Sequence, residues 1–472
     1  MDAVIHTSPF AGSWYPGEAA QLERSLNEGF LRSQQRTDGA FPPGALGFLV
    51  PHAGMQYSGT VAAAAFRRLR AQRPERIVIL GFSHRVAVDG IAIPAVAQIV
   101  TPLGPVRIDW DLARALAACP VFRFSPEARI CDHSVEMQFP YLRFAVPDIP
   151  VLPLYVGRLS EDEQFTAAQR LAALLGSGVV FLISSDLTHY GRGFYYEPFP
   201  PDTQAAANLH VLDMQIMEAL GSLDERFFRS TLAETRATVC GAGPLAVWLR
   251  TLAYRNGDEV FQSTIDYQNS AEITGDCTHA VGYGAAGYYP ASAFELSESD
   301  RRILIASARA TLERLRATRQ RTPVPPDRLT AALERRAGVF VCLKQHGKLL
   351  GCVGDCAGLT PLAEAVPRLT LAAALDDPRF ASILGVDGEI DLEISVLTPM
   401  KRAPSPDILE IGRHGALLEC GEHRALLLPQ AAAPQSWTKE EFLTALALKA
   451  TLGPRDYLRP DARLFVFRAQ VF

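Results

Sequence analysis

The alternation of short apolar runs with amphipathic stretches is the feature that most constrains the fold of this chain. From about residue 45, GALGFLVPH is followed by SGTVAAAAFRRLRAQ and RIVILGFSH, and IPVLPLYVG is later followed by SEDEQFTAAQRLAALLG and VVFLISSD. Apolar runs of this length bounded by Gly and Pro are typical of buried strands, and strands that alternate with helices form parallel sheets. We therefore predict that the first domain is α/β with a parallel sheet.

The length of the chain predicts a second domain. Its 472 residues exceed the roughly 250 that one hydrophobic core usually supports. The pattern changes at PASAFELSES, where a loop precedes the helical pattern DRRILIASARATLERLRAT and then hairpin-like strands such as GVFVCLKQHGKLLGCVGD. We predict domains at 1–290 and 296–472, the second being a smaller α+β domain.

Composition and charge exclude several classes of protein. The net charge of −5 lacks the basic excess of nucleic-acid-binding proteins, so we expect no nucleic-acid partner. The start MDAVIHTSPF does not resemble a signal peptide, and no apolar run is long enough to span a bilayer, so we expect a cytoplasmic protein without membrane association. The eight scattered cysteines indicate reduced thiols rather than a disulfide framework.

Polar side chains follow three of the predicted strands. His52 follows one strand in VPHAG, His84 follows the next in GFSHR, and Asp186 and His189 follow a third in SSDLTHYG. In open α/β sheets, ligands bind outside the carboxyl ends of the strands. We therefore expect these side chains to meet in one crevice.

Histidines at such strand ends point to a metal site, because histidine is the commonest metal ligand. A site with two histidines needs a third ligand, and the sequence offers three. Asp186 or Glu136 would complete the two-His-one-carboxylate set of non-haem iron enzymes, whereas Cys240 in TVCGAGP would give an N,N,S site open to zinc, copper or iron. Spacing leaves these alternatives open.

The stretch DHSVEMQFPY has two interpretations. If it is helical, His133 and Glu136 lie three residues apart on one face and would present a general acid or base to the crevice. Alternatively, Asp132 and Ser134 cap the helix and Glu136 complements its positive end.

Six motifs in order resemble the Memo family over about residues 8–289. They are AGSWYPG, VPHAGMQYSG, ILGFSH, DHSVEMQFPYL, ISSDLTHYG and TVCGAGP. The resemblance implies a fold like that of the class III extradiol dioxygenases, non-haem iron enzymes that cleave aromatic diols. Carried over by position, it implies that the metal ligands are His52, His84 and Cys240. It also implies that the pocket is lined by Asp186, His189 and His133.

The chain departs from these relatives at several positions. A thiolate at Cys240, in place of the dioxygenase carboxylate, favours zinc or copper(I) more than the two-His-one-carboxylate set does. Phe82 and Arg85 stand where Memo relatives often have Pro and a second His. We expect one divalent transition metal, with iron(II) favoured and copper or zinc as alternatives.

The C-terminal part resembles the AMMECR family over about residues 296–472. The resemblance rests on GVFVCLKQHGKLLGCVG, DLEISVLTPMKRAP and LLLPQAAAPQSWTKEEFLTALALKATL. Relatives carry Leu-Arg-Gly-Cys where this chain has Leu350 in place of the arginine, which removes a cation suited to binding an anion. Cys352 and Cys356 are either half of a metal or redox site or structural.

The fusion of the two modules resembles the Amme-Memo-RadicalSAM systems, which implies a separate radical S-adenosylmethionine (SAM) protein as partner. The chain itself lacks the Cys-x3-Cys-x2-Cys motif of such enzymes. Cys352 and Cys356 have the spacing of its first two cysteines, but Leu359 stands where the third cysteine would be.

These observations favour a non-haem metal-dependent oxidoreductase with dioxygenase-like chemistry on a small oxygen-rich molecule such as a phenol. In this hypothesis His189 or His133 transfers a proton, Asp186 orients a histidine, and Glu136 is a further candidate acid or base. Two alternatives are a scaffold that binds a peptide or protein without turnover and a zinc-dependent hydrolase with an activated water.

Overall fold

A computed structural model describes residues 4–37, 39–126, 130–254, 259–318, 320–386, 388–433 and 436–472. The chain divides into two compact units, Met1–Asp38 with Pro43–Pro290 and Gly39–Pro42 with Ala291–Phe472. Among the described residues, no helix combines the length and the apolar composition needed to cross a bilayer.

The N-terminal unit contains strands and helices in alternation. Its described strands are β1 (Ile5–Thr7), β2 (Gly47–Val50), β3 (Arg76–Gly81), β4 (Ile91–Pro94), β5 (Gln98–Thr101), β6 (Gly104–Arg107), β7 (Phe122–Ser125), β8 (Val151–Val156), β9 (Val179–Ser184), β10 (His189–Gly191), β11 (Val260–Asn269) and β12 (His279–Pro290). Its described helices are α1 (Ala19–Arg36), α2 (Met55–Gln72), α3 (Trp110–Ala117), α4 (His133–Glu136), α5 (Gln138–Ala145), α6 (Glu161–Ala172), α7 (Ala205–Gly221), α8 (Glu225–Thr235), α9 (Ala242–Ala253) and α10 (Ser270–Thr274).

The main sheet of this unit is parallel at its centre and antiparallel at its flanks. Its strand order is β10-β12-β2-β9-β3-β8-β4-β7, with β11 paired to β12. Strands β2, β9, β3 and β8 run parallel, which confirms the α/β prediction. Strand β12 joins β2 in antiparallel orientation, and β4 joins β8 in the same way, which the sequence pattern did not predict. A separate sheet has the order β1-β5-β6.

Burial of the central strands explains their apolar sequences. Every residue of β2, β8 and β9 is buried, as continuous apolar runs in a sheet covered on both faces require. Helix α9 packs on this sheet through Trp248, whose ring lies 5.2 Å from that of Phe181. Full burial of a side chain of the size of Phe181 contributes roughly 1.5–3 kcal/mol.

The stretch from Asp132 to Ala145 forms two short helices rather than one. Helices α4 and α5 are separated at Met137. The Asp132 carboxylate caps α4 by accepting a hydrogen bond of 3.0 Å from the main-chain N–H of Ser134, as one of the two interpretations predicted. The Ser134 hydroxyl has a different role, because it accepts from the N–H of Phe82 and donates to the carbonyl of the same residue.

The C-terminal unit has the predicted α+β character. Its described strands are β13 (Val339–Gln345), β14 (Lys348–Asp355), β15 (Asp391–Leu397), β16 (Lys401–Ala403), β17 (Gly415–Cys420), β18 (His423–Leu427), β19 (Arg463–Phe467) and β20 (Ala469–Val471). Its described helices are α11 (Glu298–Thr318), α12 (Ala331–Glu334), α13 (Leu362–Leu375) and α14 (Lys439–Lys449). The strands form two antiparallel sheets, β14-β13-β15-β20 and β16-β19-β17-β18.

One pair of cysteines contradicts the expectation of reduced thiols throughout. Cys342 and Cys352 are direct cross-strand neighbours on β13 and β14, and they form a disulfide. Cys352 is therefore not a thiolate beside Cys356, whose sulfur accepts a hydrogen bond of 3.4 Å from Arg424. The disulfide with Cys342 is consistent with a structural role for Cys352.

A buried carboxyl group joins helix α7 to the sheet. Asp213 accepts a hydrogen bond of 3.1 Å from the N–H of Thr188 and one of 2.8 Å from the hydroxyl of Tyr267. Any side chain at Gly282 would collide with this carboxyl group, so only glycine lets β12 pass so closely. Burial raises the pKa of Asp213 to about 7.

Asp213 should make the protein less stable as the pH rises. The folded carboxyl keeps its proton up to about pH 7, whereas the unfolded one loses it near pH 4, so the folded state binds more protons between these values. We expect the free energy of unfolding to fall by on the order of 4 kcal/mol between about pH 4 and 8 through this group. The Asp213→Asn variant, which mimics the protonated acid, should lose that part of the pH dependence in urea unfolding.

The exposed Asp202 provides the matched control, because Asp202→Asn changes the same charge outside the core. It should leave the pH dependence of unfolding as in the wild type. A wild-type pH dependence in Asp213→Asn as well would contradict the assignment.

Candidate metal site and pocket

A pocket of about 590 Å³ lies at the carboxyl ends of β2, β9 and β3. These three strands are neighbours and run parallel, so the residues that follow them meet at one edge of the sheet. The predicted site residues that line the pocket are His52, His84, His133, Asp186 and His189. Cys240 adjoins them, with its sulfur 3.3 Å from the Nε2 atom of His52.

The hydrogen bonds around His52 fix which ring nitrogen carries the proton. The Ser184 hydroxyl donates its one proton to the carbonyl of Ser134 and accepts from the Gln138 amide at 3.0 Å. It can therefore only accept from His52, whose Nδ1 atom lies 3.0 Å away. The proton of His52 is thus on Nδ1, and the Nε2 lone pair faces Cys240.

His84 is held in the same manner by Asp132. Its Nδ1 atom lies 2.8 Å from one carboxylate oxygen, and its main-chain N–H donates to the other oxygen at 3.0 Å. Burial opposes ionisation of Asp132, but the hydrogen bond from His84 and the proximity of His133 outweigh it and lower the pKa to about 2. The carboxylate therefore accepts the Nδ1 proton and leaves the Nε2 lone pair of His84 for a ligand, as in many metal-bound histidines.

His189 also lines the pocket and follows the same pattern. Its Nδ1 atom is 3.1 Å from the carbonyl oxygen of Leu187 and 3.2 Å from that of Thr238. Because carbonyls only accept, Nδ1 carries the proton and Nε2 carries the lone pair.

Burial keeps two of the pocket histidines neutral. Burial is the main cause that lowers the pKa of His52 and of His133 to about 3 in each case. Burial and then the charge of Asp186 raise the pKa of the Cys240 thiol. Neutral imidazoles are ready to bind a metal, whereas Cys240 would first release its proton to a bound cation.

Two groups of metal-ligating side chains share His52. One is formed by His52, His84 and His133, and the other by His52, Asp186 and Cys240, with the ligand atoms of each group within 4.8 Å of one another. The predicted set of His52, His84 and Cys240 takes members from both groups and stays a prediction. Two imidazoles and a thiol at one pocket edge fit a transition metal of intermediate softness.

Close packing brings the Cys240 loop to the end of β9. A Cβ atom at Gly241 would lie 2.4 Å from the Cβ of Ser185, which leaves space for glycine only. The Gly241 N–H donates a hydrogen bond of 3.0 Å to the Ser185 hydroxyl and fixes the loop.

Asp186 supports His52 through the main chain rather than through the ring. One carboxylate oxygen accepts from the N–H of His52 at 2.8 Å and from that of Ala53 at 3.3 Å. The ring itself is oriented by Ser184, which Gln138 supports, and the sequence interpretation missed both residues. The position of Ser184 at a strand end, in SSD, was the sequence signal that could have identified it as a residue of the site.

The structure does not bring Glu136 to the pocket. Helix α4 is four residues long, and Glu136 is buried on its far side, where it lies 2.9 Å from Nε2 of His6. His133 does line the pocket, with its ring stacked 4.1 Å from that of His84.

Aromatic rings form part of the remaining walls, and the sequence interpretation did not identify them. The Trp14 ring lies 4.3 Å from that of His133, and the Phe194 ring lies 4.8 Å from His189 and 4.4 Å from His279. The motif AGSWYPG contained a signal for Trp14, whereas nothing in the sequence marked Phe194. Phe82, one of the departures from relatives, packs its ring 4.2 Å from that of His84.

Comparison with known families supports both resemblances. A family model described as Memo-like protein matches residues 7–287, and one described as AMMECR1 matches residues 305–472. Protein MEMO1 of Homo sapiens is 30% identical over 291 residues, which cover 60% of this chain and 96% of that protein. A MEMO1 family protein of Schizosaccharomyces pombe is 27% identical over 317 residues, which cover 61% of this chain and 99% of the relative.

Two solved structures of uncharacterized proteins are also similar. One, from Pyrococcus horikoshii, has a TM-score of 0.34 and 32% identity, and the match covers 36% of this chain and 88% of that one. The other, from Escherichia coli K12, has a TM-score of 0.36 and 15% identity, with 51% and 98% covered.

Asp132 offers a test of how the ligands are oriented. In Asp132→Asn the amide accepts a hydrogen bond less strongly than a carboxylate, so His84 should lose its preferred orientation. We expect metal affinity to fall by roughly 10–100-fold, as measured by competition with a chromophoric chelator.

Asp109 is the matched control, because it is also a buried aspartate that caps a helix, accepting from the N–H of Leu112 at 3.0 Å. Asp109→Asn should cost stability without changing metal affinity. An equal loss of affinity in both variants would show that Asp132 acts through stability alone.

Proposed function

This chain belongs to the Memo family, and on that premise we propose that its N-terminal unit is a non-haem metal-dependent oxidoreductase. The proposed ligands are His52, His84 and Cys240, with iron(II) favoured and copper or zinc as alternatives. The observation that carries the proposal is the common orientation of the two histidines. Each has its Nδ1 proton bound by an acceptor, which leaves the Nε2 lone pair for a metal.

The walls of the pocket favour a planar, oxygen-rich substrate such as a phenol. Trp14, beside His133, and Phe194, beside His189, offer aromatic surface, and aromatic rings pack well against such surface. A volume of about 590 Å³ accommodates a small molecule, within the range typical of ligand pockets. The proposed substrate is therefore a small phenol rather than an extended peptide.

His189 and His133 have different roles in the proposed reaction. A bound metal would act as a Lewis acid and redox centre for the substrate oxygen. His189 accepts the phenol proton on Nε2, because the carbonyls of Leu187 and Thr238 hold its Nδ1 proton. Burial lowers the pKa of His133 to about 3, which makes it a poor base, and it packs against the substrate instead.

Metal content and oxygen uptake test this proposal together. Full-length protein purified without oxygen or chelator should carry about one iron per chain at the pocket and consume oxygen when catechol is added. Cys240→Ser should lose most of this iron and the oxygen uptake, because the softest donor is removed. Elemental analysis and an oxygen electrode measure the two quantities.

His189→Gln and Cys119→Ser separate the possible causes of lost activity. His189→Gln should keep the iron but slow oxygen uptake by roughly 100-fold or more, as expected for loss of a general base. Cys119→Ser changes a buried cysteine away from the pocket and should change neither quantity.

Zinc in place of iron would favour the hydrolase, and a folded protein without pocket metal would favour the scaffold.

We further propose a separate radical SAM protein as partner, on the resemblance of the two-module chain to systems that contain one. The chain supplies no cluster motif of its own, and Cys352 is bonded to Cys342. A radical SAM protein should therefore co-purify with the tagged chain from its native host in the absence of oxygen. Its absence from such preparations, compared with an untagged strain, would count against the partnership.

A further inference from the structure

A second group of donor side chains lies in the N-terminal unit outside the pocket. It consists of His6, Cys131 and Glu136, whose ligand atoms all lie within 4.8 Å of one another. None of the three lines the pocket. His6 lies on β1 and comes from a chain segment 130 residues away from Glu136, so tertiary folding rather than local sequence brings the group together.

The Glu136 carboxylate is incompletely satisfied. Its side chain is fully buried, with 0% exposed, and one oxygen lies 2.9 Å from Nε2 of His6. The other oxygen has no hydrogen-bond partner among the residues that the structure describes. A buried carboxylate oxygen without a partner is costly, which distinguishes this group from a fully paired structural ion pair.

We propose that His6, Cys131 and Glu136 bind a divalent metal ion of the zinc class at a second site. Imidazole nitrogen, thiolate sulfur and carboxylate oxygen are the three donor types that zinc uses in proteins, at about 2.0–2.3 Å. Donors at these distances in a tetrahedral site lie about 3.3–3.8 Å apart. Side-chain movements of little more than an ångström would therefore close the group around an ion.

The charges of the three donors also suit a divalent ion. On binding, the Cys131 thiol releases its proton to solvent and becomes a thiolate. The thiolate and the Glu136 carboxylate together carry two negative charges, which the ion neutralises, while His6 binds as a neutral ring. Both anionic ligands are buried, where a neutral complex has a small desolvation cost.

The second ion would support the pocket without taking part in its chemistry. Cys131 and Glu136 flank Asp132 and His133 in sequence, and Asp132 holds the ring of His84. An ion bound by Cys131, Glu136 and His6 would fasten both ends of this segment to β1. It is therefore a structural ion, and it goes beyond the proposed oxidoreductase function.

Cobalt(II), which stands in for zinc and gives a visible thiolate-to-metal charge-transfer band, tests the site. The full-length, tag-free chain with Cys240→Ser lacks the pocket thiolate, so any remaining cobalt–thiolate band must come from another cysteine. We expect a band that saturates at about one cobalt per chain in this background. Adding Cys131→Ser should abolish the band, and adding Glu136→Gln should weaken cobalt binding by at least about tenfold.

Cys119→Ser in the same background is the matched control and should leave the band unchanged. Circular dichroism verifies that each variant is folded, and Glu136→Gln keeps the side-chain shape in case Cys131→Ser does not fold. No cobalt–thiolate band in folded Cys240→Ser protein would overturn the proposal and leave His6 and Glu136 as an ion pair only. A band that survives Cys131→Ser would overturn it as well.

These outcomes do not depend on the pocket chemistry. Failure of the proposed function appears as missing pocket iron or missing oxygen uptake in protein with Cys240 intact. Failure of the second site appears only in the cobalt spectrum of the Cys240→Ser background.

Discussion

The Ser184 hydroxyl connects three chain segments at the centre of the candidate site. It lies at the end of β9, donates to the carbonyl of Ser134, and accepts from Gln138 and His52. A hydroxyl has a single proton, so this arrangement leaves no choice about which nitrogen of His52 is protonated. The orientation of His52, the proposed ligand, and the position of helix α4 against the end of β9 depend on these bonds.

The sequence predicted the parallel centre of the sheet and the meeting of its strand ends. Continuous apolar runs mark strands that are buried on both faces, and His52, His84 and Asp186 directly follow three of them. Neighbouring parallel strands necessarily end at one edge, so residues far apart in sequence could be placed together. The order of the strands therefore predicted where the pocket lies. It did not predict which pocket side chains bind a metal, because that depends on distances between loops.

The remaining features depend on tertiary contacts that no local pattern encodes. Helical spacing put His133 and Glu136 on one face, but the helix ends after one turn, and these two residues face different surroundings. One antiparallel flank arises from β12, which follows the last motif of the domain and returns to pair with β2, and the other arises from β4, which pairs with β8. The bond between Cys342 and Cys352 required knowledge of the register of β13 and β14.

His52 belongs to two donor groups, yet its neutral ring has one lone pair. An ion that took this nitrogen together with His84 and Cys240, as proposed, would draw one further ligand from each group. The donors left over would be the Asp186 carboxylate, which harder ions prefer, and the His133 imidazole, which ions of intermediate softness prefer. The pocket would therefore offer a suitable fourth ligand to more than one transition metal.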